Sequence, residues 1–131
     1  MFAVEVRDHI MIAHSLPAPV FGPAQGMHGA TYTVDAAFFA EDLDDHGLVV
    51  DIGLAGAALA RALQPLRYAN LDEQPEFAGR FTTTEFLCRH IWQALAGIAR
   101  DGGLSDGGRL RRLRVSLHES HVARAWYEAG L

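Results

Sequence analysis

Histidine supplies the first chemical question in this chain. In Met27-His28-Gly29-Ala30-Thr31-Tyr32, alternate residues of an extended strand share a face, so His28 and position 30 project together. A histidine at both would make half of a metal site, and position 30 is alanine. His14, in Ala13-His14-Ser15-Leu16, is a second imidazole, and imidazole is the side chain best suited to proton transfer near neutral pH. Two imidazoles bind a transition metal weakly, whereas a catalytic zinc takes three protein ligands and keeps one open position. Of the remaining histidines, His9, His46, His90, His118 and His121, none is excluded by sequence separation alone. His9, however, has the opposite strand parity to His14, and His90 falls on a predicted helix. The expectation is no tightly bound zinc, with zinc admitted only where another ligand replaces the one missing at Ala30.

Other residues suit ligand recognition. Glu119 shares parity with Val115 and Leu117, which turns it toward their apolar face, where an unpaired carboxylate is costly and a partner or ligand is expected. Arg67 offers a planar set of donors suited to a carboxylate or phosphate, and Tyr68 can stack or donate one hydrogen bond. An ordinary loop with Arg67 solvated and Tyr68 packed fits those two residues equally well. Thr82-x-x-Glu85 has the form of a capping box, so Glu85 serves a helix start, a ligand, or both. Cys88 sits on the apolar stripe of the same segment and reads as a buried structural thiol.

The elements that position these residues follow from periodicity and punctuation. The first fourteen residues read as a strand ending before Pro17 and Pro19, and Pro17 to Gly26 as a loop. A second strand spans His28 to Ala40, and Asp44-Asp45-His46-Gly47 turns the chain. Asp51 caps a helix whose apolar face holds Ile52, Ala55, Leu59, Ala62 and Leu63. Pro65 to Phe81 is long and irregular, a second helix carries Phe86, Leu87, Ile91, Leu95 and Ile98, and Asp101-Gly102-Gly103 ends it. Two last strands cover Leu110 to Glu119 and Ala123 to Glu128. The order β-β-α-α-β-β gives an α+β fold, an antiparallel four-stranded sheet with two helices on one face, in one domain over residues 1–131.

Bulk composition narrows the partners. With 131 residues and a formal net charge of -5, the chain has no general electrostatic reason to bind nucleic acid or an anionic membrane. Arg109, Arg111, Arg112 and Arg114 cluster on a predicted strand and read as a solvated or interface face. One cysteine, no signal-peptide core and no membrane-length apolar run point to a cytoplasmic protein.

Taken together, Ala13-His14-Ser15-Leu16, His28-Gly29-Ala30, Leu66-Arg67-Tyr68-Ala69-Asn70-Leu71-Asp72, Thr83-Thr84-Glu85 and His118-Glu119-Ser120 resemble, in order and spacing, the 6-pyruvoyl-tetrahydropterin synthase / 6-carboxytetrahydropterin synthase family. The resemblance covers nearly the whole chain, although each motif is short. It implies a T-fold whose subunits assemble into a barrel-like ring, commonly a homo-hexamer with active sites between subunits. It implies that His14 and His28 stand where two of three zinc ligands stand in the family, with Ala30 at the third. The family's proton-transfer cysteine has no counterpart in Gly22-Pro23-Ala24-Gln25-Gly26, and its Asp-His pair is replaced by Arg67 and Tyr68. The ring-binding part is present: Glu119 matches the glutamate that accepts hydrogen bonds from a pterin's amino group and ring N–H, and Thr83, Thr84 and Glu85 match the polar segment around the ring.

Sequence alone thus leads to a pterin-binding relative that lacks the usual zinc-dependent lyase chemistry, and leaves open whether it is an enzyme. His14, His28 and Tyr68 are its candidate proton-transfer residues, and Glu119, Thr83, Thr84, Glu85 and Arg67 its candidate ligand contacts. Two alternatives stand beside it: an authentic 6-carboxytetrahydropterin synthase-type lyase with a rearranged site, and a non-catalytic pterin-binding module or partner subunit.

Overall fold

The computed structural model describes all 131 residues. Strands β1 (Phe2–His14) and β2 (His28–Ala40) pair antiparallel along their whole length, from Phe2 opposite Ala40 to His14 opposite His28. After helix α1 (Ile52–Leu63) come β3 (Ala69–Asn70), α2 (Thr84–Arg100), β4 (Leu110–Ser120) and β5 (Ala123–Gly130). The sheet order is β3-β1-β2-β4-β5. Both helices pack on one face, as expected of this α+β class.

Alternation decides which side chains meet the helices. Ile10, Ile12 and His14 of β1, with Tyr32, Val34, Ala36 and Phe38 of β2, are buried on the helix side. Leu113, Val115 and Leu117 of β4 continue that layer, and the α2 stripe of Leu87, Cys88, Ile91, Trp92 and Leu95 closes over it. Trp92 Nε1–H donates to the Leu113 carbonyl at 2.8 Å, satisfying the one polar group of a buried indole. Cys88 is a buried structural thiol: its Sγ lies 3.3 Å from the Ala125 carbonyl, and burial pushes its pKa up to about 11.

The opposite face of the sheet is open and charged. Arg112 pairs with Glu128 at 3.1 Å and Arg114 with Glu5 at 3.7 Å, so two arginines of the basic cluster are balanced within the chain. Arg109 instead reaches the carbonyls of Asp42 and Val49 and ties down the segment after β2. In that segment Asp44 Oδ1 accepts the N–H groups of His46 and Leu48, and Gly47 takes the positive φ of 76° that the turn requires.

Three features depart from the sequence expectation. The sheet has five strands rather than four, because Tyr68 N–H donates to the Met11 carbonyl and leads Ala69–Asn70 alongside Ile12–Ala13 as a parallel edge. The cap of α2 is Thr83, whose Oγ1 accepts the Phe86 N–H at 3.2 Å; Thr82 is buried and turned to other use. Ile52 stands 66% exposed, since the α1 stripe that reaches the sheet begins only at Ala55, while Asp51 does cap the helix through the Leu54 N–H at 2.9 Å. No helix is long and apolar enough to cross a membrane.

Candidate functional site

The two histidines meet because β1 ends where β2 begins. His14 and His28 are direct partners in the ladder, and their rings lie edge to face with centroids 4.6 Å apart. His28 Nδ1 is 2.8 Å from the Gly26 carbonyl. A carbonyl only accepts, so that nitrogen carries the hydrogen, and in the neutral ring Nε2 keeps its lone pair. His14 Nδ1 is 2.9 Å from Thr82 Oγ1, a hydroxyl able to give or take the hydrogen. Burial, reinforced by the neighbouring His28, lowers the His14 pKa below the ordinary imidazole value, so its uncharged, proton-accepting form prevails further into acid.

A cavity of about 230 Å³ surrounds the pair. Besides His14 and His28, its lining comes from the start of α2 (Thr83, Thr84 and Glu85), from Glu119 near the end of β4, from Tyr32 of β2, and from Leu16, Phe21 and Ala24 around the β1–β2 connection. Tyr32 is buried, and burial chiefly raises its pKa, so it stands as a neutral phenol. The loop is seated by Phe21, whose ring centroid is 5.3 Å from that of Phe81, and it turns at Gly22 with φ 53° and ψ -126°, a backbone shape natural only to glycine. Phe21, Ala24, Leu16 and Tyr32 are lining residues that sequence reasoning did not single out. Tyr32 was legible as sharing a face with His28; nothing in the Pro-rich loop signalled that Phe21 would fold back.

Glu119 reaches this cavity from the end of β4, where the β4–β5 register shifts, and it stays exposed there, bordering the open face of the sheet as well. The burial penalty expected from parity is therefore absent, and the carboxylate has no ion-pair partner in the chain. Arg67 and Tyr68 are not brought to this cavity. The Arg67 guanidinium is engaged by Asp8 Oδ2 at 2.6 Å and the His9 carbonyl at 2.9 Å. Tyr68 stands 84% exposed with φ 53° at the outer edge of β1.

The zinc that the motif resemblance implies would need a third donor beside His14 and His28. Ala30, two residues beyond His28 on the same face, offers a methyl group, and no three His, Cys, Asp or Glu side chains converge anywhere in the chain to hold a metal. Two imidazoles do not fit a catalytic zinc.

The sequence profile of the 6-pyruvoyl tetrahydropterin synthase family matches residues 3–130. The chain belongs to that family. Solved structures agree at the level of the fold. The 6-pyruvoyl tetrahydropterin synthase of Caenorhabditis elegans superposes with a TM-score of 0.82 at 19% identity, over 98% of this chain and 95% of that one. The Plasmodium falciparum protein of the same name gives 0.73 at 17% identity, over 98% and 99%. A dihydroneopterin aldolase from Burkholderia thailendensis, bound to guanine, gives 0.50 at 13% identity, over 99% and 89%. None of the curated proteins matches. Family membership accounts for the strand order and for the T-fold pairing of one long hairpin, two helices and a second hairpin.

Proposed function

We propose that this member of the 6-pyruvoyl tetrahydropterin synthase family binds a pterin-like heterocycle in the cavity between His28 and Glu119, and does not perform the zinc-dependent synthase reaction. The observation that carries this reading is the convergence of Glu119, His14, His28 and the Thr83–Glu85 segment, far apart in sequence, on one cavity of about 230 Å³. A free carboxylate can accept the amino group and ring N–H of a pterin together, a paired and directional contact. Phe21 supplies an aromatic surface beside it. The guanine bound by the dihydroneopterin aldolase of the same fold presents the same two-donor edge.

The same residues argue against the synthase reaction. The third zinc position is Ala30, and the positions of the family's cysteine and Asp-His pair carry no thiol, carboxylate or imidazole. His14 and His28 remain the groups able to move a proton at a bound ring, His14 as the neutral base and His28 through Nε2. Tyr68 does not line the cavity of its own chain and could act only on the site of another copy, within the homo-hexameric ring that the family resemblance implies.

Titration of the purified protein with pterin and with adenine tests the reading, because adenine lacks the two-donor edge. Saturable pterin binding with at least about tenfold weaker adenine binding is expected; no binding to any pterin in a panel contradicts it. Incubation with dihydroneopterin triphosphate, with metal analysis of protein purified without chelator, tests the second half. Product formation with stoichiometric zinc would restore the synthase assignment.

A further inference from the structure

The carboxylate of Glu119 stands on a thinly supported piece of backbone. The β2–β4 ladder stops at Thr33 and His118, and the β4–β5 register shifts between His118 and Ser120, so Glu119 falls in a bulge just past the last β2 pairing. Glu119 itself borders a cavity of about 350 Å³ toward the open face, together with Arg7, Thr31, Thr33, His118, Ser120 and His121 and with no apolar side chain. Packing therefore does not hold the bulge from that side.

A chain of hydrogen bonds does. His118 Nε2 lies 2.8 Å from Asp35 Oδ2. Asp35 is only 4% exposed, and Arg7 clamps it through Nε at 2.7 Å and Nη2 at 2.9 Å. The Arg7 bonds hold the Asp35 carboxyl below its ordinary pKa against the opposing effect of burial, and the His118 bond adds to them. An ionised carboxylate only accepts, so His118 must present its Nε2–H. Glu119 is the next residue along the chain, so holding the His118 side chain holds the backbone from which the Glu119 carboxylate leaves.

We propose that Arg7, Asp35 and His118 are positioning residues for Glu119, holding its carboxylate at the angle that ring recognition needs. This rests on the pterin-binding reading, and the test separates the two. His118→Leu removes the N–H, whereas His118→Gln returns an N–H at the same distance from the backbone. The expected result is pterin affinity about tenfold weaker in His118→Leu and within about threefold of wild type in His118→Gln. Both variants should be folded at the assay temperature by thermal scan, and the amides of residues 118–122 should exchange faster in His118→Leu alone. Unchanged affinity in folded His118→Leu, or no recovery in His118→Gln, overturns the proposal. If wild-type protein binds no pterin, the ring reading fails on its own, and amide exchange still decides whether His118 holds the bulge: equal exchange in the three proteins overturns it.

Discussion

At His28 the Gly26 carbonyl decides which ring nitrogen is free, and two residues on, the methyl of Ala30 gives that nitrogen no companion ligand. Restoring one tests whether Ala30 is what leaves the pair short of a zinc site: Ala30→His should retain about one zinc per chain through dialysis where wild type retains none, read by elemental analysis. Failure to gain zinc would mean that His14 and His28 are not placed for a metal. A second residue-scale effect comes from burial. His14 and His90 both have pKa values lowered chiefly by desolvation. Between those lowered values and the ordinary imidazole value of about 6.5, the unfolded chain binds more protons, so stability is complete above that value and falls as pH drops through the window. Chemical denaturation at pH 7 and pH 5 should show this loss, and His90→Gln should reduce it. Residue types were the most legible layer: the family resemblance of their motifs picked out His14, His28, Glu119 and the Thr83–Glu85 segment, and they share a cavity. Arg7, Asp35 and His118 were not legible as a set, because their hydrogen bonds cross strands far apart in sequence.

Among the elements, β2 spans the residues that alternation marked out, His28–Ala40, because a strand with one buried face writes its period into the sequence. β3 is two residues long and leaves no period to read. The capping shift from Thr82 to Thr83 has a physical cause: Thr82 is taken up by His14, and its neighbour is left to meet the Phe86 N–H. The caps make separable predictions. Asp51→Ala should cost about 1 kcal/mol of stability with pterin affinity unchanged, since α1 contributes nothing to the cavity. Thr83→Ala should cost a similar amount and also weaken binding, because the same residue lines the site. Denaturant titrations paired with ligand titrations distinguish the two.

For the whole molecule, the sheet has two open edges. β1 has an edge partner only at Ile12 and Ala13, and β5 closes the sheet at the other side. Unpaired strand edges are templates for further pairing, and the open face already carries matched charges such as Arg112 and Glu128. Self-association of this 14.3 kDa chain, with a hexameric ring as the proposed form, should appear in analytical ultracentrifugation; a strictly monomeric protein at micromolar concentration would contradict it. Pterin recognition by Glu119 has a more direct test. Titration of wild type and Glu119→Gln with pterin under identical conditions replaces one of the carboxylate's acceptors with a donor facing a donor. The expected loss is about 2–3 kcal/mol, roughly 30- to 150-fold in affinity, with little change in thermal midpoint. Equal affinity of the two proteins for pterin would contradict the assignment of this cavity as a pterin site.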